Sequence, residues 1–140
     1  PVVSSAASDV YKRQTKDKVK AFTENDVASV YKMYWELMKC NELPKGMDLC
    51  VFDFAVYREP KIAQRELQYV LGAKRDTWIG PITIGLLEGM VAEKGISATI
   101  DTYQDHRKAW IDKLQSATES EKTTFKARVD TITAAAKGMV

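Results

Sequence analysis

Val27, Val30, Tyr31, Tyr34 and Met38 recur at three- and four-residue steps, the spacing that lays one apolar stripe along a helix of about four turns. Thr23 with Asp26 three residues on predicts the N-terminal cap of that helix. Asn41 to Gly46, containing Pro44, predicts a turn. Leu49 to Val56 is then apolar at every position but Asp53. A run that dense fits a buried strand as well as a buried helix. Helical patterns lie on both sides and no partner strand is evident, so the expectation is a central helix over 47–56.

Pro60 suits a first helical position and Gly72 the residue just past a helix end, and Ala63, Leu67, Val70 and Leu71 share one face between them. Pro81 opens a further helix that runs to about Lys94 and is stopped by Gly95. Ser97 is expected to cap the next, with Ile100, Tyr103, Arg107, Trp110, Ile111 and Leu114 inward. A last helix from about Ser120 uses Phe125, Val129, Ile132 and Ala136 and ends at Gly138. The fold class expected is all-α, with about six helices and no internal repeat.

At 140 residues, 45% hydrophobic and 29% charged, the composition is that of one globular core. A formal charge of +2 and a pI near 8.6 suit weak attraction to an anionic polymer and fall short of a nucleic-acid footprint. No apolar run is long enough to span a bilayer, and no leader with a cleavage site is visible. Cys40 and Cys50 lack the spacing and the clustered histidines of a metal site. They are expected to pack as small apolar side chains in a reducing compartment. His106, the single histidine, is expected to face solvent. No metal and no cofactor is expected, because neither a histidine triad nor a phosphate-cradling loop can be assembled.

Residues 1–14 are expected to be a non-native tail. Ser4 to Gln14 reads as the in-frame translation of a transposon-based sequencing adaptor, which would place the start of the natural reading frame upstream. Setting aside Asp9, Lys12 and Arg13 brings 21 basic and 19 acidic residues to 19 and 18, so the basic bias nearly vanishes.

Five pieces follow in order: Tyr34-Trp35, Cys40 to Pro44, Val51 to Val56, Gln64 to Leu71, and Asp76 to Thr83. This order resembles glycoside hydrolase family 108, the phage and secretion-associated N-acetylmuramidases with their C-terminal predicted peptidoglycan-binding domain. The family pattern runs roughly YW, DELP, FDxAVNSGP, LQRALG and DGxIGPxT. The resemblance implies a lysozyme-like helical domain, with residues 15–58 as the C-terminal part of the muramidase catalytic region. Residues 59–140 are then a peptidoglycan-binding-like region continuous with it. Tyr57-Arg58-Glu59 stands where the family has Asn-Ser-Gly, which removes a glycine suited to a turn. The family's catalytic glutamate lies in a Glu-Gly-Gly-like motif near the N-terminus, and no such motif occurs in this chain.

Glycoside hydrolysis needs a carboxylic acid for the leaving oxygen and usually a second carboxylate. None of Glu24, Asp26, Glu36, Asp48, Asp53 and Glu59 reads as a replacement for the missing acid, so no catalytic residue is assigned. The substrate-binding candidates are Trp35, Asp53, Tyr57, Arg58 and Trp78. Trp35 lies off the apolar stripe of its helix, and Trp78 sits in a loop, where exposed aromatics serve binding. Asp53 either bonds backbone near a cleft or is only the polar face of its helix.

The function expected from the resemblance is that of a peptidoglycan hydrolase fragment, inactive without its acid. The alternative is a non-catalytic helical module that binds peptidoglycan. The expected partners are glycan strands, with no nucleic acid and no membrane insertion, and the protein is expected to be a monomer. It is expected to be made in a bacterial cytoplasm from a phage or prophage gene and to act on the wall after release.

Overall fold

The computed structural model describes residues 23–140, and the adaptor-like stretch lies outside them. All regular structure among the described residues is helical: α1 (Glu24–Leu37), a short 3₁₀ turn (Cys40–Glu42), α2 (Met47–Tyr57), α3 (Pro60–Leu71), α4 (Pro81–Lys94), α5 (Ile96–Asp112) and α6 (Glu119–Gly138).

The helix ends follow from local chemistry. Thr23 caps α1 and Thr118 caps α6, each in a reciprocal box with the acid three residues on, Asp26 and Glu121 respectively. Pro60 and Pro81 start α3 and α4, where the missing N–H is no loss. Gly72, at φ 70°, closes α3 in the left-handed region. The start of α5 differs from expectation, because Gly95 rather than Ser97 precedes its first residue. At φ 85° Gly95 donates its N–H to the Val91 carbonyl of α4 and accepts from the Thr99 amide of α5. One glycine therefore ends one helix and begins the next.

The apolar run over 47–56 is the central helix. α2 contacts α1, α3, α5 and α6, and this is why nearly all its positions are apolar. Met47, Cys50, Val51, Phe54 and Ala55 are essentially fully buried, with Leu67, Leu87, Ile100 and Tyr103 completing the core. The α2–α3 junction needs no glycine. Arg58 has φ −121° and ψ −86°, outside the helical and extended regions, and Glu59 is extended at φ −167°, so the chain turns here at negative φ and without the left-handed angle that favours glycine.

Cys40 and Cys50 are free and buried, and burial pushes both thiols up to about 12. No helix among the described residues is long and apolar enough to cross a membrane.

Candidate functional site: a groove between the α1 end and the α3–α4 loop

An open groove of about 740 Å³ runs between the C-terminal end of α1, the start of α3 and the loop before α4. Met33, Glu36 and Leu37 supply one wall, Glu59, Lys61 and Gln64 another, and Thr77 to Ile79 the third. Its polar lining holds two carboxylates, Glu36 and Glu59, and two ammonium groups, Lys39 and Lys61. The floor is held by Gln64, whose amide donates to the Leu37 carbonyl at 3.1 Å and so ties α3 to the end of α1.

Lys39 (φ 55°) and Thr77 (φ 67°) are the non-glycine residues with left-handed backbone among the described residues, and both line this groove. The conformation costs a side-chain-bearing residue roughly 1–2 kcal/mol, and it is most unusual for a β-branched one. Strain of this kind collects where geometry serves a ligand.

The strained loop is built around Gln68, which is fully buried on α3. Its Oε1 accepts from the Thr77 amide at 3.0 Å. Its Nε2 donates to the Trp78 carbonyl at 3.0 Å and to Asp76 Oδ1 at 2.9 Å. Asp76 Oδ1 also accepts from the Trp78 amide at 3.0 Å. That backbone bond, followed by the one from Gln68, holds the Asp76 carboxyl below the usual range. The indole of Trp78 lies across Gly80, where an added Cβ would sit 2.7 Å from two ring carbons. Trp78 itself is 63% exposed.

The five sequence candidates fall in three places. Trp78 stands at the groove. Trp35 does not line it: its ring packs edge-on against Phe52 at 5.4 Å and its N–H donates to Asn41 Oδ1 at 2.8 Å. Asp53, Tyr57 and Arg58 belong to a cluster of arginines and aromatic rings where α2, α5 and α6 meet. Buried Asp53 takes Arg107 at 2.8 Å and Arg128 at 2.9 Å. The Arg128 guanidinium lies 5.2 Å from the Tyr57 ring and that of Arg58 lies 5.2 Å from Trp110. A buried carboxylate is tolerable only with such partners, and pairing with Asp53 raises the pKa of Arg128. Of the two readings of Asp53 as backbone partner or polar face, neither describes it, since it joins three helices.

His106 is not a solvent-facing residue. It is half-buried, with Nε2 2.7 Å from Glu66 Oε1, and its ring stacks on Tyr69 at 5.0 Å. Arg75 takes the other Glu66 oxygen at 2.6 Å, which anchors the same loop that carries Trp78. Gln64, Glu66 and Gln68 escape sequence reasoning, although three buried polar side chains within one helix carry a signal, Gln64 and Gln68 on one face of α3 and Glu66 on another. They alternate with, and lie beside, the apolar positions Ala63 and Leu67 where solvent cannot satisfy them. No group of three or more His, Cys, Asp or Glu is placed to hold a metal ion among the described residues.

Residues 2–58 match the family model for glycosyl hydrolase 108. The match includes α1 and α2 and ends at Arg58, beside the groove residue Glu59. Among solved structures, that of Brucella abortus SagA is similar at 27% sequence identity, with a TM-score of 0.84 over 96% of this chain and 76% of that one. The likeness therefore extends through α3 to α6, beyond the family match. No curated protein matches the chain significantly. The all-α, six-helix arrangement is the one expected of a lysozyme-like domain, and the match is to a hydrolase family.

Proposed function

We propose that this chain handles peptidoglycan as part of an N-acetylmuramidase-type glycoside hydrolase, with the groove between α1, α3 and the Trp78 loop holding a glycan strand. The observation that carries this reading is the groove itself. It combines an exposed indole, carboxylates and ammonium groups with strained backbone on two of its walls, and it lies where the hydrolase match ends.

The chemistry of the lining fits an amino-sugar polymer with acidic side groups. Trp78 offers an apolar face to a pyranose ring. Lys39 and Lys61 face the carboxylates that muramyl residues and their peptides carry, and Glu36, Glu59 and Gln64 face hydroxyl and amide hydrogens. Trp35, Tyr57 and Arg58 do not line this groove and take no part in this reading.

Cleavage asks for a placed general acid, and neither groove carboxylate, Glu36 or Glu59, stands in the sequence context that the family resemblance assigns to it. The Glu-Gly-Gly motif that the family resemblance leads one to expect occurs nowhere in the 140 residues. Asp53 is committed to two arginines and Glu66 to Arg75 and His106. In our reading the chain on its own binds wall polymer without cutting it, and its place of action is the cell wall.

Co-sedimentation with purified sacculi, run beside turbidity and zymogram assays, tests this. Binding without loss of turbidity is the expected outcome. Failure to sediment with sacculi overturns the glycan reading, and robust lysis overturns the part that denies this chain a catalytic acid.

A further inference from the structure

The Trp78 loop is built more firmly than an exposed loop requires. Two side chains satisfy the polar backbone on both sides of the Thr77–Trp78 peptide. Gln68 takes the Thr77 N–H and the Trp78 carbonyl, and Asp76 takes the Trp78 N–H. Gln68 Nε2 also approaches Thr83 Oγ1 at 3.4 Å, which ties the loop to the first turn of α4. A buried glutamine whose amide is used on both its oxygen and its nitrogen has one orientation and one length that fit. The outcome is a left-handed threonine followed by an indole laid flat on the bare Cα of Gly80, with much of the ring left open to solvent.

We infer that Gln68 is a positioning residue that holds Trp78 as a stacking platform for the apolar face of a pyranose ring at the rim of the groove. The inference rests on the glycan reading of that groove and adds to it the part that orders the platform before any sugar arrives. Pre-ordering matters because an indole on a loose loop gives up rotamer and loop freedom on binding, and that loss subtracts from affinity. Gln68 touches no sugar. Its effect passes through the Thr77–Trp78 backbone, so its removal should act on binding at Trp78 and leave the rest of the fold unchanged.

The chain contains three tryptophans, so the full chain carrying 5-fluorotryptophan gives three fluorine resonances, and Trp78→Phe assigns the one of interest. The probe is tetra-N-acetylchitotetraose, which presents β-1,4-linked pyranose faces without peptide. In the parent protein the Trp78 resonance should shift on titration while those of Trp35 and Trp110 stay in place. Gln68→Met keeps length and buried volume but removes every amide contact. It should move or broaden the Trp78 resonance in the free protein, leave the other two unchanged and weaken saccharide binding by about tenfold or more.

If Gln68→Met leaves the Trp78 resonance and the affinity at their parent values, the positioning role is overturned while the glycan reading stands. If the saccharide leaves Trp78 unmoved in the parent although sacculi are bound, the platform is overturned and the glycan site lies elsewhere. If neither sugar nor sacculi bind, both readings are overturned. Should all three resonances collapse in Gln68→Met, the exposed substitution Asp76→Ala is judged by the same criteria. It removes the other half of the loop's bracing without touching the core.

Discussion

Asp53 on α2 and Arg107 on α5, 54 residues apart in the chain, form a buried ion pair at 2.8 Å. Arg107 also lies 4.9 Å from the Phe54 ring, and the second oxygen of Asp53 reaches Arg128 on α6. Among the described residues, the ion pairs of the apolar central helix are these two, both made by Asp53.

Removing one member of the buried pair should be costly. Asp53→Ala strands Arg107 in the core and is expected to destabilise by about 3–5 kcal/mol, a large part of the roughly 5–15 kcal/mol of a small domain. Arg128→Ala returns a guanidinium that is 43% exposed to water and should cost about 1 kcal/mol or less. Urea midpoints of the two variants check this, and equal losses would show that burial does not set the difference.

Relieving the backbone at Thr77 should stabilise the fold. Thr77→Gly places a residue without Cβ at φ 67° and should add about 1 kcal/mol, or roughly 3–5 °C in Tm. Calorimetry on the variant measures it. A drop in Tm would mean that the Gln68 contacts hold the threonine without strain.

Trp78 and Trp35 should separate cleanly between binding and stability. Trp78→Ala takes away an exposed ring and is expected to reduce retention on sacculi with Tm nearly unchanged. Trp35→Ala removes the packing on Phe52 and the bond to Asn41, which should lower stability by about 1–3 kcal/mol and leave retention intact in the folded fraction. The reverse pattern would move the sugar contact from the groove to α1.

Acid should weaken the fold through three carboxylates. Asp26 and Asp76 titrate below their usual 3.8 and Glu121 below its usual 4.5, held there first by the backbone N–H groups of Thr23, Trp78 and Thr118. Because each folded pKa is depressed, each contribution is fully present above the unfolded pKa and is lost as pH falls through the folded one. Tm should be level from about pH 7 to pH 5 and fall below about pH 4. The combined variant Asp26→Asn, Asp76→Asn and Glu121→Gln should flatten that slope, and an unchanged slope would assign it to other acids.

Both thiols should be silent in the native protein. With Cys40 and Cys50 buried and pushed up to about 12, almost no thiolate exists at neutral pH. A thiol reagent should modify neither until denaturant is added, and fast reaction of the native protein would place one of them at a surface.

Local chemistry determined most of the elements, while the helical state of the apolar run over 47–56 is read from the helical patterns around it. Apolar spacing, two Thr caps, two helix-opening prolines and the glycines at 72 and 95 mark the helix boundaries, because each acts on backbone within a few residues. The all-α class follows from them, and Trp78 is recognisable as an exposed loop aromatic for the same local reason. What only the tertiary structure decided is which polar residues meet. Asp53 and Arg107 each stand on an apolar face, yet nothing local pairs positions 54 apart. Gln68, Asp76 and Thr77 become one bracing unit only when the loop folds back on α3. His106 leaves solvent only because α5 brings it to Glu66. The groove likewise exists through the packing of α1 against α3 and the α4 loop, since a cavity is a property of distances between elements and has no counterpart in the order of residues.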